Sequence, residues 1–305
     1  MQGPVIEMHI NSFLQRLQKG EAELPQKLID KCSASINKWF TTMNERSNHG
    51  EFTLRLSNIG KPVCQLYHEK KGTQKEPVDA ELIPVRFATG ALVEAWLFMI
   101  IKASGLNVEG SNVPVTLDVS GSQISGELDI IIDGVIYDIK TTSTSSFYKF
   151  EQGFEAVVAD DPFGYVVQGY SYAKARGLPF GGWIVLNKSS GKIIVCETPR
   201  DNGKAEKAAL KQAAATVKKI NTDAPYERAF APLDETFKKQ PTGNKKLCRT
   251  CGYCEFKVAC WPDMTPHRAA LSEAKNPAWE YYTELNFVAV QDLEINTWHV
   301  QEYSG

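Results

Sequence analysis

Apolar and polar positions alternate most clearly between residues 113 and 141, which predicts three strands at about 113–119, 124–132 and 135–141. Asp133-Gly134 separates the second from the third, and an Asp-Gly pair between runs rich in Ile and Val signals a two-residue type I′ turn. That turn fixes a register: Ile132 opposite Val135, Ile131 opposite Ile136, Ile130 opposite Tyr137, and Asp129 opposite Asp138. Because side chains alternate faces along a strand, Asp129, Ile131, Ile136, Asp138 and Lys140 are expected on one face. Opposed Cβ atoms lie about 4.5–5.5 Å apart and like charges so placed repel; a cation is therefore expected between the aspartates. The same register sets Glu127 against Lys140, an ordinary cross-strand ion pair that leaves the two aspartates unexplained.

Elsewhere the period lengthens to that of a helix. Residues 5–47 read as amphipathic helices broken near Pro25, with no legible purpose, and residues 51–79 show no single period. The stretch 87–104, FATGALVEAWLFMIIKAS, is apolar nearly all the way round, the pattern of a buried helix. It carries Glu94, a carboxylate whose burial is costly unless it is paired or metal-bound. Asp160-Asp161-Pro162 and the later Gly177 and Pro179 bracket another helix, on which Gln168 and Tyr172 lie four apart and share a face. Strands at 181–187 and 192–198 flank a Ser-Ser-Gly turn, a helix follows at about 203–220, and the last forty residues read as a helix plus a strand. This order predicts an α/β fold with a mixed sheet flanked by helices. It divides into an N-terminal helical region (1–50), a core (51–262) ending in a cysteine-rich segment, and a C-terminal extension (263–305).

Composition narrows the classes. With 305 residues, 43% hydrophobic and 23% charged, the chain can bury a full core. Its longest apolar run, Trp96 to Ile101, is too short to span a bilayer and its start carries no basic-then-apolar segment, so a cytoplasmic protein without a membrane partner is expected. A net charge of −2 means that a nucleic-acid partner would need a local basic patch. No GxxxxGK[ST] loop is present, hence no motor of its own. Gly169-Tyr170-Ser171-Tyr172-Ala173 approaches a nucleophile elbow but falls inside a predicted helix, which sets a serine hydrolase aside. Of seven cysteines, Cys248, Cys251, Cys254 and Cys260 crowd together, which in a chain without an export signal points to metal or cluster ligation. Four thiolates suit zinc or an iron–sulfur cluster equally, and their chemistry alone does not choose. Cys32 and Cys196 read as ordinary buried thiols.

Hydrolysis of a phosphodiester needs a hard divalent cation held by carboxylate oxygens, an activated water, and a positive group facing the developing charge. Asp129, Asp138 and Lys140 on one face supply that set. In this order and on these elements, Gly126-x-x-Asp129, Asp138-Ile139-Lys140 and Gln168-x-x-x-Tyr172 resemble the PD-(D/E)XK nuclease superfamily, specifically its RecB-like branch. The resemblance implies a restriction-endonuclease-like sheet. It also implies that Glu94, one turn after Gly90 on the upstream helix, joins Asp129, Asp138 and the Ile139 carbonyl as a ligand of Mg2+ or Mn2+, where many relatives carry His. Gln168 and Tyr172 would contact substrate or brace Lys140.

The spacing Cys251-x2-Cys254-x5-Cys260, with Cys64 upstream, is similar to that of iron–sulfur nucleases such as AddB and the CRISPR-associated adaptation exonucleases. It implies a structural 4Fe-4S cluster on Cys64, Cys251, Cys254 and Cys260. Cys248 departs from the pattern and keeps open a zinc site on Cys248, Cys251, Cys254 and Cys260. Lys238, Lys239, Lys245, Lys246 and Arg249, with Lys61, Lys70, Lys71 and Lys75 around Cys64, are expected to form a basic patch for phosphates, and Tyr67, Tyr253 and Phe256 to offer rings for unpaired bases. The function implied is a metal-dependent DNA nuclease, an exonuclease in DNA replication, recombination or repair, in a bacterium or a phage-infected host. DNA is its partner, and a helicase or recombination protein is a second. The competing expectation is a non-catalytic DNA-binding or partner-binding module that retains the fold.

Overall fold

The alternating segments pair into a five-stranded sheet in the order β1 (Val108–Val119), β2 (Ser122–Ile132), β3 (Val135–Thr142), β4 (Phe180–Asn187) and β5 (Ile193–Glu197). Only β3 and β4 run parallel, so the sheet is mixed and the fold is α/β. The computed structural model describes residues 3–45, 52–76, 80–222, 225–272, 274–292 and 297–303; the end of the expected N-terminal region (46–50) and parts of the expected C-terminal extension (293–296 and 304–305) lie outside them. Asp133 and Gly134 take φ of 47° and 73°, the two positive values that a type I′ turn requires.

Two apolar layers sandwich this sheet. On one face lie α1 (Gly3–Gln18), α2 (Gln26–Glu45) and α4 (Ile83–Ala103), with Ile6, Ile10, Leu97 and Ile100 packed on Ile130, Ile132, Tyr137 and Ile139. On the other face lie α5 (Thr144–Glu151), α6 (Phe154–Ala159), α7 (Tyr165–Arg176) and α8 (Gly203–Asn221), which cover Ile131, Ile136, Trp183 and Val185. Strand β4 lies between β3 and β5 and feeds both layers, Trp183 and Val185 one way and Ile184 and Leu186 the other. This is why its sequence reads as a continuous apolar run.

Three expectations are revised. Helix α4 begins earlier, at Ile83, and is not buried all round: Val85 and Phe87 are 62% and 67% exposed. A sequence apolar on every side shows what a helix could bury, not whether a neighbour covers it. Among the described residues it is also the one helix long and apolar enough to cross a membrane, yet Leu97, Met99, Ile100 and Ile101 in its C-terminal half are core residues. The helix expected from Pro162 starts instead at Tyr165; the Asp161 carboxylate still caps it, accepting the Tyr165 and Val166 N–H groups, each at 2.8 Å. Helices α5 and α6 were not anticipated, because each is too short to show a period.

The contacts divide the chain into two compact units, residues 1–62 with 81–224 and residues 63–80 with 225–305, rather than into three consecutive segments. The second unit holds α3 (Val63–Lys70), the short helices α9 (Arg249–Gly252) and α10 (Lys257–Cys260), and a sheet in the order β6 (Leu233–Phe237), β7 (Gln240–Lys246), β9 (Trp279–Glu284), β8 (Thr265–Arg268). A hairpin of β10 (Phe287–Asp292) and β11 (Thr297–Glu302) follows. The chain after residue 263 is thus strands, where a helix plus a strand was expected. Its strands are four to six residues long, too short for alternation to declare itself. A buried carboxylate holds this unit together: Glu235 accepts from Tyr282 Oη and Asn244 Nδ2, each at 2.8 Å, and from Thr242 Oγ1 at 3.1 Å.

Candidate active site

The expected register is seen at three pairs, Ile132 with Val135, Ile131 with Ile136 and Ile130 with Tyr137, and the β2–β3 ladder ends there. Asp129 consequently does not face Asp138 as a ladder partner. Leu128 and Ile131 pack into one core, while Ile130 and Ile132 pack into the other. Alternation therefore slips at Asp129, beside Asn112 of β1, whose φ is 48°. The freed carboxylate turns across to β3, where Asp129 Oδ2 accepts the Ile139 N–H at 2.7 Å. Glu127 does not oppose Lys140 either; it pairs with Pro114 of β1 and is exposed.

Lys140 meets Asp138 instead. Its Nζ lies 2.7 Å from Asp138 Oδ2, the two side chains being only 17% and 2% exposed. The two residues are two apart on β3 and so share a face, as the sequence implied. The ammonium also donates to Gln168 Oε1 at 3.3 Å and sits 4.5 Å above the Tyr165 ring. Gln168 Nε2 in turn donates to Tyr172 Oη at 3.3 Å. Gly126 makes room for this relay: a Cβ there would come within 2.8 Å of the Tyr172 ring and of Leu56. Gln168 and Tyr172 thus stand in one hydrogen-bonded line with Lys140.

Charge in this cluster is finely opposed. Burial raises Asp129 well above the usual carboxylate range, and the Asp138 charge adds to it. Asp138 is raised by burial and held back by Lys140. Glu94 is raised by burial and then by Asp138. For Lys140, burial favours the neutral amine, but the Asp138 and Asp129 charges outweigh it and hold the ammonium protonated above its ordinary range. Asp138 Oδ1 finds no hydrogen-bond donor unless Asp129 carries a proton, when the two carboxyls share it. A buried, unsatisfied carboxylate oxygen is costly, and either a proton or a hard cation relieves it.

Glu94, Asp129 and Ile139 line a cavity of 710 Å³. Among the described residues, no group of three or more His, Cys, Asp or Glu side chains converges tightly enough to hold a metal ion. The cationic place beside Asp138 is taken by Lys140. Two members of the cluster escaped the sequence reading. Tyr165 lies three residues before Gln168 and seven before Tyr172, on the same helical face, a spacing that could have found it. Asp161 adds its charge to the surroundings of Asp138, and its role as a helix cap hid this second one.

The cysteines gather in the second unit. The Cys64 thiol is raised by burial and feels Cys260; Cys254, also raised by burial, feels Cys64 and Cys260. Cys251 is raised by burial, then by Cys248, to which it hydrogen-bonds, and by Cys254 and Cys64. Cys64 thus shares an electrostatic neighbourhood with Cys251, Cys254 and Cys260, and Cys248 joins it through Cys251, but among the described residues no three of these thiols converge closely enough to hold a metal ion. The basic patch is thinner than expected: Lys245 pairs with Glu284 at 2.8 Å, Lys246 with Glu280 at 3.2 Å and Lys75 with Glu255 at 3.1 Å. Phe256 is buried and stacked on His68, so its ring is not offered to a base. Cys196 is a buried core thiol, as expected, and burial lifts it to about 12; Cys32, expected to be buried likewise, is only half-buried and lines the cavity.

Comparison with known proteins adds little. No family model matches the chain, and no curated protein does. Among solved structures, the crystal structure of SSO0001 aligns over 76% of this chain and 97% of its own, at 15% identity and a TM-score of 0.44.

Proposed function

We propose that the first unit is a restriction-endonuclease-like nuclease core of the PD-(D/E)XK type, and that the protein is a magnesium- or manganese-dependent DNA exonuclease of replication, recombination or repair. The observation that carries this reading is the buried Asp138 carboxylate, with one oxygen against Lys140 and the other lacking a donor, beside Asp129 and Glu94. The donor set is hard oxygen, which suits Mg2+ or Mn2+, ions content with one or two carboxylates plus water and substrate oxygens. Among the described residues no three of these groups converge on one point as they stand, so Asp129 and Asp138 would hold the ion on being drawn in around it, with Glu94 and the Ile139 carbonyl beside them; when bound it would polarise the phosphate and acidify a water. The chain's own groups do the rest. The Ile139 N–H fixes Asp129. Lys140 keeps a positive charge where negative charge develops on the phosphate. Gln168, braced by Tyr172, holds the ammonium in that direction.

The same reading assigns a structural 4Fe-4S cluster to Cys64, Cys251, Cys254 and Cys260. Cys64, Cys251, Cys254 and Cys260 lie near one another in the second unit, which supports this assignment, while the Cys251–Cys248 contact keeps the zinc site on Cys248, Cys251, Cys254 and Cys260 as its rival.

The test is cleavage of end-labelled DNA in magnesium, in manganese and in chelator, by the protein and by Lys140→Ala. Cleavage is expected with either metal, none with chelator, and a fall of about 10²–10³-fold in the variant, the loss typical when one group that stabilises developing charge is removed. Undiminished activity in Lys140→Ala would overturn the reading. DNA binding without cleavage would return the protein to the non-catalytic alternative.

A further inference from the structure

Helix α2, in the N-terminal region that the sequence left without a purpose, forms one wall of the 710 Å³ cavity that reaches the carboxylates. Helix α4 is the opposite wall, and Ser111, Asp129, Ile139 and Thr141 of the sheet close its inner side. Small residues keep it open: α4 presents Gly90, Ala91 and Ala95 to it, and α2 presents Ala34 and Ser35. At Gly90 a Cβ would meet nothing nearer than Thr141 Oγ1, at 4.0 Å, so backbone packing does not demand glycine there.

The lining is graded in charge. Lys31 and Arg86, both exposed, stand with Trp39 and Phe87, while Glu94 and Asp129 contribute the acidic groups. Lys31, Ser35 and Trp39 follow at four-residue steps on α2, and Arg86, Gly90 and Glu94 do so on α4, so each set forms one row. The α4 row passes from cation to carboxylate over about 12 Å of helix. Trp39 is half-buried and Phe87 is 67% exposed, so both rings keep accessible surface. The volume falls in the range of a small-ligand site, about 300–1,000 Å³, which suits a nucleotide or two in single file and not a base-paired end.

We infer that this cavity binds the unpaired end of a DNA strand, with bases stacked on Trp39 and Phe87 and phosphates met by Lys31 and Arg86. Every base has a face to stack, so such a site is tolerant of sequence. Delivery of the strand to Asp129 for cleavage rests on the nuclease reading; the binding does not. The acidic end repels phosphate, so a divalent cation strengthens the binding.

The experiment measures the fluorescence anisotropy of a labelled unpaired oligodeoxynucleotide and of a blunt hairpin duplex. Both are titrated in chelator with the full-length protein, Trp39→Ala, Trp39→Phe and Lys31→Glu. Trp39→Ala is expected to weaken the unpaired strand about 5- to 150-fold, the span of one lost stacking contact. Trp39→Phe recovers most of the loss, and the duplex is unaffected. A natively folded Trp39→Ala that binds the strand as tightly as the parent, or loses duplex affinity equally, overturns the inference. Should Trp39→Ala fail to fold, Lys31→Glu, at an exposed position, decides by the same criteria. Trp39-dependent binding without cleavage in magnesium would sink the nuclease reading and keep the strand site; cleavage with Trp39-independent binding would do the reverse.

Discussion

Replacing Lys140 by methionine keeps the unbranched stem and removes the charge, which isolates what the ammonium does. Asp138 would then be a carboxylate 2% exposed with no counter-charge in place of one 2.7 Å away. Removing one partner of a buried pair costs about 3–5 kcal/mol. For a unit of about two hundred residues, each kcal/mol moves the melting point by roughly 2–4 °C, so a drop of about 6–20 °C is expected near neutral pH. The pH dependence gives the stricter test. Asp138 is raised in the folded protein, so its contribution is full below the ordinary carboxylate value of about 3.9 and is lost as pH climbs through the raised value. Without Lys140 that folded value rises further and the loss deepens. Lys140 is itself raised; its contribution in the parent is complete below about 10.4 and so constant across the range used. The gap between parent and variant should therefore be small near pH 4 and widen toward about pH 8. Magnesium, if bound by the carboxylates, should restore about 2.7 kcal/mol at a hundredfold excess over its dissociation constant. Thermal melts by circular dichroism across this pH range measure it. A Lys140→Met protein that melts with its parent at pH 8, or with a deficit unchanged by pH, would refute the account of the buried pair.

Asp129→Asn keeps an amide oxygen for the Ile139 N–H and removes a like charge, so it should melt higher than the parent at pH 8 while losing DNA cleavage; a lower melting point would contradict the repulsion described. Purified without oxygen, Cys64→Ser should lose iron and brown colour while Cys248→Ser keeps both, and a colourless, zinc-loaded parent would overturn the cluster assignment. Glu235→Ala strands the Tyr282 hydroxyl and one Asn244 Nδ2 hydrogen in a buried site, the other still donating to Phe287 O, and should cost about 2–5 kcal/mol, read as faster amide exchange across β6, β7 and β9 with the first unit unchanged.

Much of the site was legible because it hangs on a turn. An Asp-Gly pair with two positive φ values set the register, and from it followed Asp138 and Lys140 on one face; Gln168 and Tyr172 were placed near them only by the motif resemblance. What failed was the last step of that register. The ladder ends one pair early, because alternation slips at Asp129 and its carboxylate satisfies a backbone N–H across the gap. Periodicity carries no signal for a side chain that bonds backbone. The second unit was illegible for another reason: its strands are short, and Glu235, a residue expected outside, is the buried hub that ties them. The exposed face of α4 was hidden as well, since hydropathy shows which surfaces dislike water and is silent on which of them find cover.

The division of the chain also has a consequence in time. Residues 63–80 are synthesised early but belong with residues 225–305. At about 5–20 residues per second, Cys64 leaves the ribosome roughly 10–40 s before Cys260 exists. Through that interval α3 has none of its C-terminal partners, and its thiol waits within a half-made protein. The second unit cannot form by local steps as the chain emerges; it closes only at the end of synthesis. Any early truncation therefore leaves a segment in the first third of the chain with nothing to fold against.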